Sequence, residues 1–258
     1  MAPYSILITG ANRGIGLALV REFLKDENIQ TIIAGARNPE AAEDLKSIKD
    51  DRLRIIKLDI SSDESIDRAV EEIKHIVNDK GLTVLVNNAG VHVHMVTKQR
   101  VTREQLMEQF QSNVFGTIIL TQALLPLLQQ ASSLQQNDDF SIDRAAIINI
   151  SSNGASLERN NTNLFWGGSN FFKFLGYRAS KSALNQVMRT MAVDLLEDKI
   201  LSVSFCPGGC RTEMTRRVGV EAELSPEESA EALIKSFNKL DKTHNAGFYN
   251  RNLEVIPF

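Results

Sequence analysis

A chain of 258 residues, 43% of them hydrophobic, carries enough apolar material for one sizeable core, and single α/β domains of about 250 residues are common. Acids and bases are interspersed to a formal charge of −3 and a pI near 5.9, which leaves no basic face for nucleic acid or an anionic membrane. No apolar run reaches membrane-spanning length and the start runs straight into a strand without a basic leader, so the expectation is a soluble, cytoplasmic protein. The only cysteines, Cys206 and Cys210, form no disulfide framework and read as buried thiols.

Ile6, Leu7 and Ile8 form an apolar run that ends at Thr9, and three glycines follow at Gly10, Gly14 and Gly16. Ile15, Leu19 and Val20 then take up helical spacing, predicting a helix from about Gly14 to Lys25. Strand, tight turn and helix in that order make a dinucleotide cradle. Glycines let the backbone bend and a pyrophosphate approach, while the helix start offers free N–H groups and the positive end of its dipole. On this reading Gly10, Asn12, Arg13, Gly14, Ile15 and Gly16 contact the nucleotide.

Gln30 to Ala36, rich in β-branched and small residues, predicts a second strand buried on both faces. Rossmann domains that prefer NAD place an acid near the end of this strand to hold the ribose hydroxyls. Gly35, Ala36 and Arg37 stand here instead. The Arg37 guanidinium, with Arg13 reaching from the glycine turn, can fork onto a 2′-phosphate, which points to NADP(H). Arg37 as a plain solvated residue at a helix start is the alternative.

Pro39 to Ile48 predicts a second helix and Arg52 to Leu58 a third strand ending at Asp59. The Ser61 to Glu64 spacing of a capping box opens a helix to about Asn78. Leu82 to Val86 is the fourth strand and runs into Asn87-Asn88-Ala89-Gly90, where short amides can brace the sheet and the small Ala89 and Gly90 leave room for a nucleoside. His92 and His94 lack a third ligand, so they read as loop or pocket wall and no metal is expected. Thr102 to Leu128 predicts a long helix with a Thr102–Gln105 capping box, placing Leu106, Phe110, Val114, Ile118 and Leu125 on a largely buried side. Asn113 on that helix needs a partner for its amide. Ala131 to Asp143 reads as a surface loop, and Ala145 to Ile150 as a fifth strand delivering Ser151 and Ser152. The long stretch 153–176, with Phe165, Trp166, Phe171, Phe172 and Phe174, predicts an inserted loop that forms a hydrophobic substrate wall.

Tyr177 and Lys181 open a helix running to about Leu196 and, four apart, share one face. A free phenol has a pKa near 10. A cation about 4 Å away is worth about 1 kcal/mol in water and about 4 at an effective dielectric of 20, enough to lower that value by about one to three units. Leu201 to Phe205 is the sixth strand, Pro207 and Gly208 a turn, and the segment 209–225 a lid. Ser225-Pro226-Glu227-Glu228 caps a helix, and Asn245 to Tyr249 is a short last strand. The fold expected is α/β: a single-domain Rossmann fold over residues 1–258, with a doubly wound parallel sheet of about seven strands flanked by helices.

T-G-x-x-x-G-I-G at Thr9 to Gly16, N-N-A-G at Asn87 to Gly90, Ile150-Ser151-Ser152, Y-x-x-x-K at Tyr177 to Lys181 and P-G-x-x-x-T at Pro207 to Thr212 together resemble the short-chain dehydrogenases/reductases over nearly the whole chain. A-N-R-G-I-G-L, Q-A-L-L-P-L-L, Y-R-A-S-K and F-C-P-G narrow the likeness to NADPH-dependent carbonyl reductases of the sniffer and C-factor type. The resemblance implies a tetrad of Asn113, Ser152, Tyr177 and Lys181. Tyr177 is the proton donor to a small-molecule carbonyl, Ser152 rather than Ser151 holds its oxygen, and Asn113 holds a water for Lys181. It further implies that Asp59 bonds adenine, although an Asp after a strand is also an ordinary turn residue. Asn87, Ala89 and Gly90 flank the nucleoside, Tyr177 and Lys181 touch the cofactor, and Pro207, Gly208 and Thr212 wrap the nicotinamide. The helices at Thr102 to Leu128 and Ala179 to Leu196 are where relatives form homodimers or homotetramers, but their apolar stripes equally suit a core. The 25 positions from Ser152 to Tyr177, roughly twice the usual family interval, take substrate inference away from typical members. An oxidative alcohol or steroid dehydrogenase and a non-catalytic NADP(H) sensor are the competing readings.

Overall fold

The computed structural model describes residues 2–160, 174–219 and 221–258. Alternation along the short apolar runs decides the architecture. In β1 (Ser5–Thr9), Ile6 and Ile8 face one core and Leu7 the other, and all five residues are buried. Such a strand needs helices on both sides, which parallel crossovers supply. β2 (Thr31–Ala36), β3 (Leu53–Lys57), β4 (Val84–Asn87), β5 (Ala146–Ile150), β6 (Leu201–Cys206) and β7 (Phe248–Asn250) join β1 in the order β3-β2-β1-β4-β5-β6-β7, every pair parallel. This is the expected doubly wound seven-stranded sheet. The winding reverses between β1 and β4, and ligands bind at such a reversal, outside the carboxyl ends of the strands.

α1 (Gly14–Phe23) and α8 (Pro226–Phe237) cover one face of the sheet, with Phe237 edge-on to Phe205 at 5.0 Å between ring centroids. α8 begins as its sequence dictates, with Pro226 in the first position and Ser225 and Glu228 closing a capping box. α3 (Asp63–Val77) and α5 (Gly116–Ser133) cover the other face, where α6 (Leu175–Asp194) also packs against β6.

Three elements differ from expectation. The helix predicted over Pro39 to Ile48 is a single 3-10 turn followed by α2 (Glu43–Lys46), because Ala42 leaves helical geometry at φ −90° and ψ 61° and turns with Leu45 into the core. Ser62, not Ser61, caps α3 by accepting from the Ser65 N–H, while the Ser61 hydroxyl donates to Asp59 at 2.6 Å. The long helix starts at the predicted Thr102 capping box as α4 (Arg103–Phe110), passes through a π-helical turn over Gln111–Phe115 and continues as α5, absorbing the first residues of the predicted 131–143 loop.

A π turn adds a residue to the helical repeat and rotates the faces beyond it. Of the expected buried stripe only Val114 is buried, Leu106 is exposed, and Gln109 and Asn113 point inward instead. From Arg103 to Ser133 this helix is long and apolar enough to cross a membrane by length and composition alone, contrary to the expectation of no such run. Half of its most apolar stretch is buried in the domain. Phe165, Trp166, Phe171 and Phe172, the expected substrate wall, lie outside the described residues.

Candidate active site

The turn after β1 is held from two sides. Thr9 Oγ1 accepts the N–H groups of Asn88 (3.0 Å) and Ala89 (2.9 Å), and Asn88 Nδ2 donates to the carbonyls of Thr9 (2.8 Å) and Gly10 (3.2 Å). Gly10 and Gly14 sit at φ +63° and +54°, the left-handed region that favours glycine. At Gly16 the reason is space, since a Cβ there would stand 2.3 Å from the Gly10 carbonyl oxygen. No side chain caps α1, so its first N–H groups remain available to a phosphate.

The turn opens onto a cavity of about 1030 Å³ along the carboxyl ends of the strands. Gly10, Asn12, Arg13, Gly14, Ile15 and Gly16 line one end, Arg37 and Asp59 the β2–β3 side, and Ala89 and Gly90 the middle. Tyr177 and Lys181 stand at the far end, with Pro207 and Thr212 on the β6 side. Asn87, Asn113, Ser152 and Gly208 are not among its lining. The Asn87 amide donates to Thr121 (3.1 Å) and Asn149 (3.0 Å) inside the sheet–helix packing, and Asn88 takes the place beside the cavity. Asp59 Oδ1 accepts from the Ser61 N–H (3.0 Å) and hydroxyl, an Asx turn on the cavity wall. Arg13 forms an ion pair with Glu213 at the start of α7 (Glu213–Val218), so part of its fork is already engaged.

At the far end of the cavity, the Ser152 hydroxyl acts on the Tyr177 phenol, favouring its ionised form. Ser152 Oγ accepts from the Gly154 N–H at 3.1 Å, which leaves its own proton to give to the phenol oxygen. Lys181 Nζ donates to the Ile150 carbonyl at 2.7 Å and lies 6.0 Å from the centre of the Tyr177 ring. Burial dominates both groups. It pushes the Tyr177 phenol up to about 12, with the Cys206 thiol adding to the rise and the Ser152 hydroxyl opposing it, and it brings Lys181 down to about 8. The lowering of the phenol by Lys181 expected from an ammonium at about 4 Å is therefore not what this geometry gives: desolvation outweighs a cation this far from the ring.

Asn113, wholly buried in the π turn, has its amide engaged. Its Oδ1 accepts the Val91 N–H at 2.8 Å, and its Nδ2 donates to the Val91 carbonyl and to Ser180 Oγ, both at 3.0 Å. Gln109, one turn earlier, accepts from the Val93 N–H (2.8 Å) and donates to the Val91 carbonyl (2.6 Å). Together they pin the loop after Gly90 onto α6, and Lys181 Nζ and Asn113 Oδ1 both approach the Cβ position of Gly90, at 3.6 and 3.2 Å. Replacing Asn113 by alanine strands the Val91 N–H and leaves the Val91 carbonyl to Gln109 alone, which is expected to cost about 2 kcal/mol. For a chain of this size that is a fall of about 4–8 °C in Tm. Calorimetry showing a change below about 1 °C would remove Asn113 from this role.

Sequence reasoning missed Asn88, Gln109 and the arginines of α7. Gln109 and Asn113, four apart, share an inward face, a spacing that the sequence carries but that the polar residues around Gln109 obscure. His92 lines the cavity with its ring 5.7 Å from that of Tyr177 and 4.7 Å from that of Phe174. Among the described residues no group of three or more His, Cys, Asp or Glu gathers to hold a metal, and both cysteines are free and buried.

A doubly wound sheet with a glycine turn at its reversal and a Tyr–Lys pair at the other end of one cavity defines a nucleotide-binding oxidoreductase scaffold. Residues 5–223 match the model of the short chain dehydrogenase family, and the chain belongs to that family. Among solved structures it is similar to the Sniffer protein of Caenorhabditis elegans, 44% identical with both chains fully covered and a TM-score of 0.90. It is similar also to the carbonyl reductase Sniffer of D. melanogaster (33% identical, both chains fully covered, TM-score 0.91). A third is the NADPH-bound carbonyl reductase from chicken fatty liver (29% identical, 100% of this chain and 95% of that one covered, TM-score 0.92).

Proposed function

We propose that this protein is an NADP(H)-dependent reductase of small carbonyl compounds: aldehydes, ketones or quinones. The observation that carries the reading is the placing of Tyr177 and Lys181, one helical turn apart, at the end of a cavity that begins in a glycine cradle. The cradle fits a pyrophosphate because the Gly16 position tolerates no Cβ and the α1 N–H groups are uncapped. Arg37, on the cavity wall without an ion-pair partner among the described residues, favours the phosphorylated nucleotide, as does the likeness to an NADPH-bound carbonyl reductase. When bound, the reduced nicotinamide supplies the hydride.

The rest is done by side chains. The Ser152 and Tyr177 hydroxyls converge on one substrate oxygen, and Tyr177 gives it the phenolic proton as negative charge builds there. Lys181, held by the Ile150 carbonyl, stabilises the phenolate left behind. A phenol pushed up to about 12 is fully protonated at neutral pH, which suits a proton donor. The test is NADPH consumption with a panel of quinones and aldehydes. NADPH binding without turnover of any of them would leave a sensor rather than an enzyme.

The sign of the pH dependence follows from the two shifts. Tyr177 keeps its proton up to about 12, whereas Lys181 loses its charge through about 8. The kcat/KM for NADPH, which reports the free enzyme, should therefore be flat below pH 8 and fall about tenfold per unit above it. A profile level to pH 10 would mean that the Lys181 charge is not needed.

A further inference from the structure

Arg13 and Glu213 come from opposite rims of the cavity, 200 positions apart in sequence: Arg13 precedes α1 at the glycine turn and Glu213 begins α7. The two rims are in contact, since the Thr212 methyl lies 3.4 Å from where a Gly14 Cβ would stand. Arg13 Nη1 pairs with one Glu213 oxygen, and Arg217 Nη2 pairs with the other. Arg13, Arg217 and Glu213 line the same cavity as Arg37, which has no acid of its own among the described residues.

A guanidinium fork engaged by a carboxylate cannot give all its donors to a phosphate, and a phosphate monoester carrying about −1.5 to −2 beside Glu213 meets like charge. Glu213, however, loses only one of two partners if Arg13 turns away. The exchange costs a single exposed ion pair, a small term.

We propose that Glu213 is a specificity-determining residue for the phosphorylated cofactor. It competes with the 2′-phosphate for Arg13, holds NADPH affinity below what Arg13 and Arg37 together would give, and passes to Arg217 when the phosphate arrives. The inference rests on the NADP(H) reading above and deepens it.

Calorimetric titration of NADPH and NADH into the wild type, Glu213→Gln and Glu221→Gln tests it. Glu221 lines the same cavity but makes no ion pair among the described residues, so its variant reports the loss of one negative charge alone. Glu213→Gln should tighten NADPH about threefold to fivefold, the scale of one exposed ion pair, and leave NADH unchanged. Glu221→Gln should leave both unchanged. Weaker NADPH binding in Glu213→Gln would mean that the carboxylate orients Arg13 for the phosphate. That result, no change, an equal shift for both nucleotides, or an equal effect of Glu221→Gln would each overturn the proposal. A wild type with no preference for NADPH defeats the NADP(H) reading and this inference with it, whereas a wild type that prefers NADPH beside an unresponsive Glu213→Gln defeats this inference alone.

Discussion

Replacing Tyr177 by phenylalanine should lower kcat for carbonyl reduction by about a thousandfold, in the range expected when a positioned general acid is removed, while the Kd for NADPH moves by no more than about threefold. The separation follows from what the hydroxyl does and what the ring does. The ring packs against Phe174 at 6.0 Å and His92 at 5.7 Å, contacts that phenylalanine keeps, so helix and cavity survive the change. The hydroxyl is the group proposed to carry the proton for the substrate oxygen. Of the groups beside it, the Lys181 ammonium is turned to the Ile150 carbonyl and the Cys206 thiol is pushed up by burial, so neither is placed to take over the proton. Stopped-flow hydride transfer under single turnover, beside an equilibrium titration of NADPH, separates the two effects. Transfer at the wild-type rate in Tyr177→Phe would transfer the donor role to another group and refute the proposed chemistry.

The proposed catalytic pair illustrates how much of the site was legible in the sequence. The i, i+4 spacing of Tyr177 and Lys181 and the placement of Ser152 just past a buried strand are local facts, and the structure brings phenol and ammonium to one end of one cavity, while Ser152 is not among its lining. The central strands were legible for the same reason: runs such as Ile6 to Ile8 and Ala145 to Ile148 are apolar on both faces, and only a sheet sandwiched between helices satisfies them.

What the sequence hid depends on contacts between distant segments. The π turn at Asn113 exists because Asn113 must meet Val91 and Ser180, so a regular 3.6-residue repeat assigned the wrong face to Leu106 and Phe110. Arg13 was legible as a cation at the glycine turn, but not its partner on α7. The direction of the Tyr177 shift was hidden too, because charge spacing is readable along a helix and desolvation is not.

The glycine turn yields the second large effect. Alanine at Gly16 should abolish measurable NADPH binding or weaken it at least about tenfold, and destabilise the fold by about 1–2 kcal/mol. Two terms oppose each other. Alanine inside a helix is favoured over glycine by about 1 kcal/mol, so a Gly16 side chain pointing into open space would stabilise α1. Instead its Cβ would stand 2.3 Å from the Gly10 carbonyl oxygen, 2.6 Å from Asn88 Nδ2 and 3.0 Å from the Ala11 Cα. Two of these are backbone atoms of the turn itself, and the third is the amide that holds the turn to β4. The clash can be relieved only by moving the turn away from α1, which spreads the N–H groups that would hold the pyrophosphate. Overpacking of about 1–3 kcal/mol therefore outweighs the helix gain. Gly219→Ala is the matched control: among the described residues nothing lies within 4 Å of its Cβ position, so it carries only the strain of φ +72° and should bind NADPH as the wild type does. If Gly16→Ala and Gly219→Ala bind NADPH equally well, the turn between β1 and α1 is not the phosphate cradle.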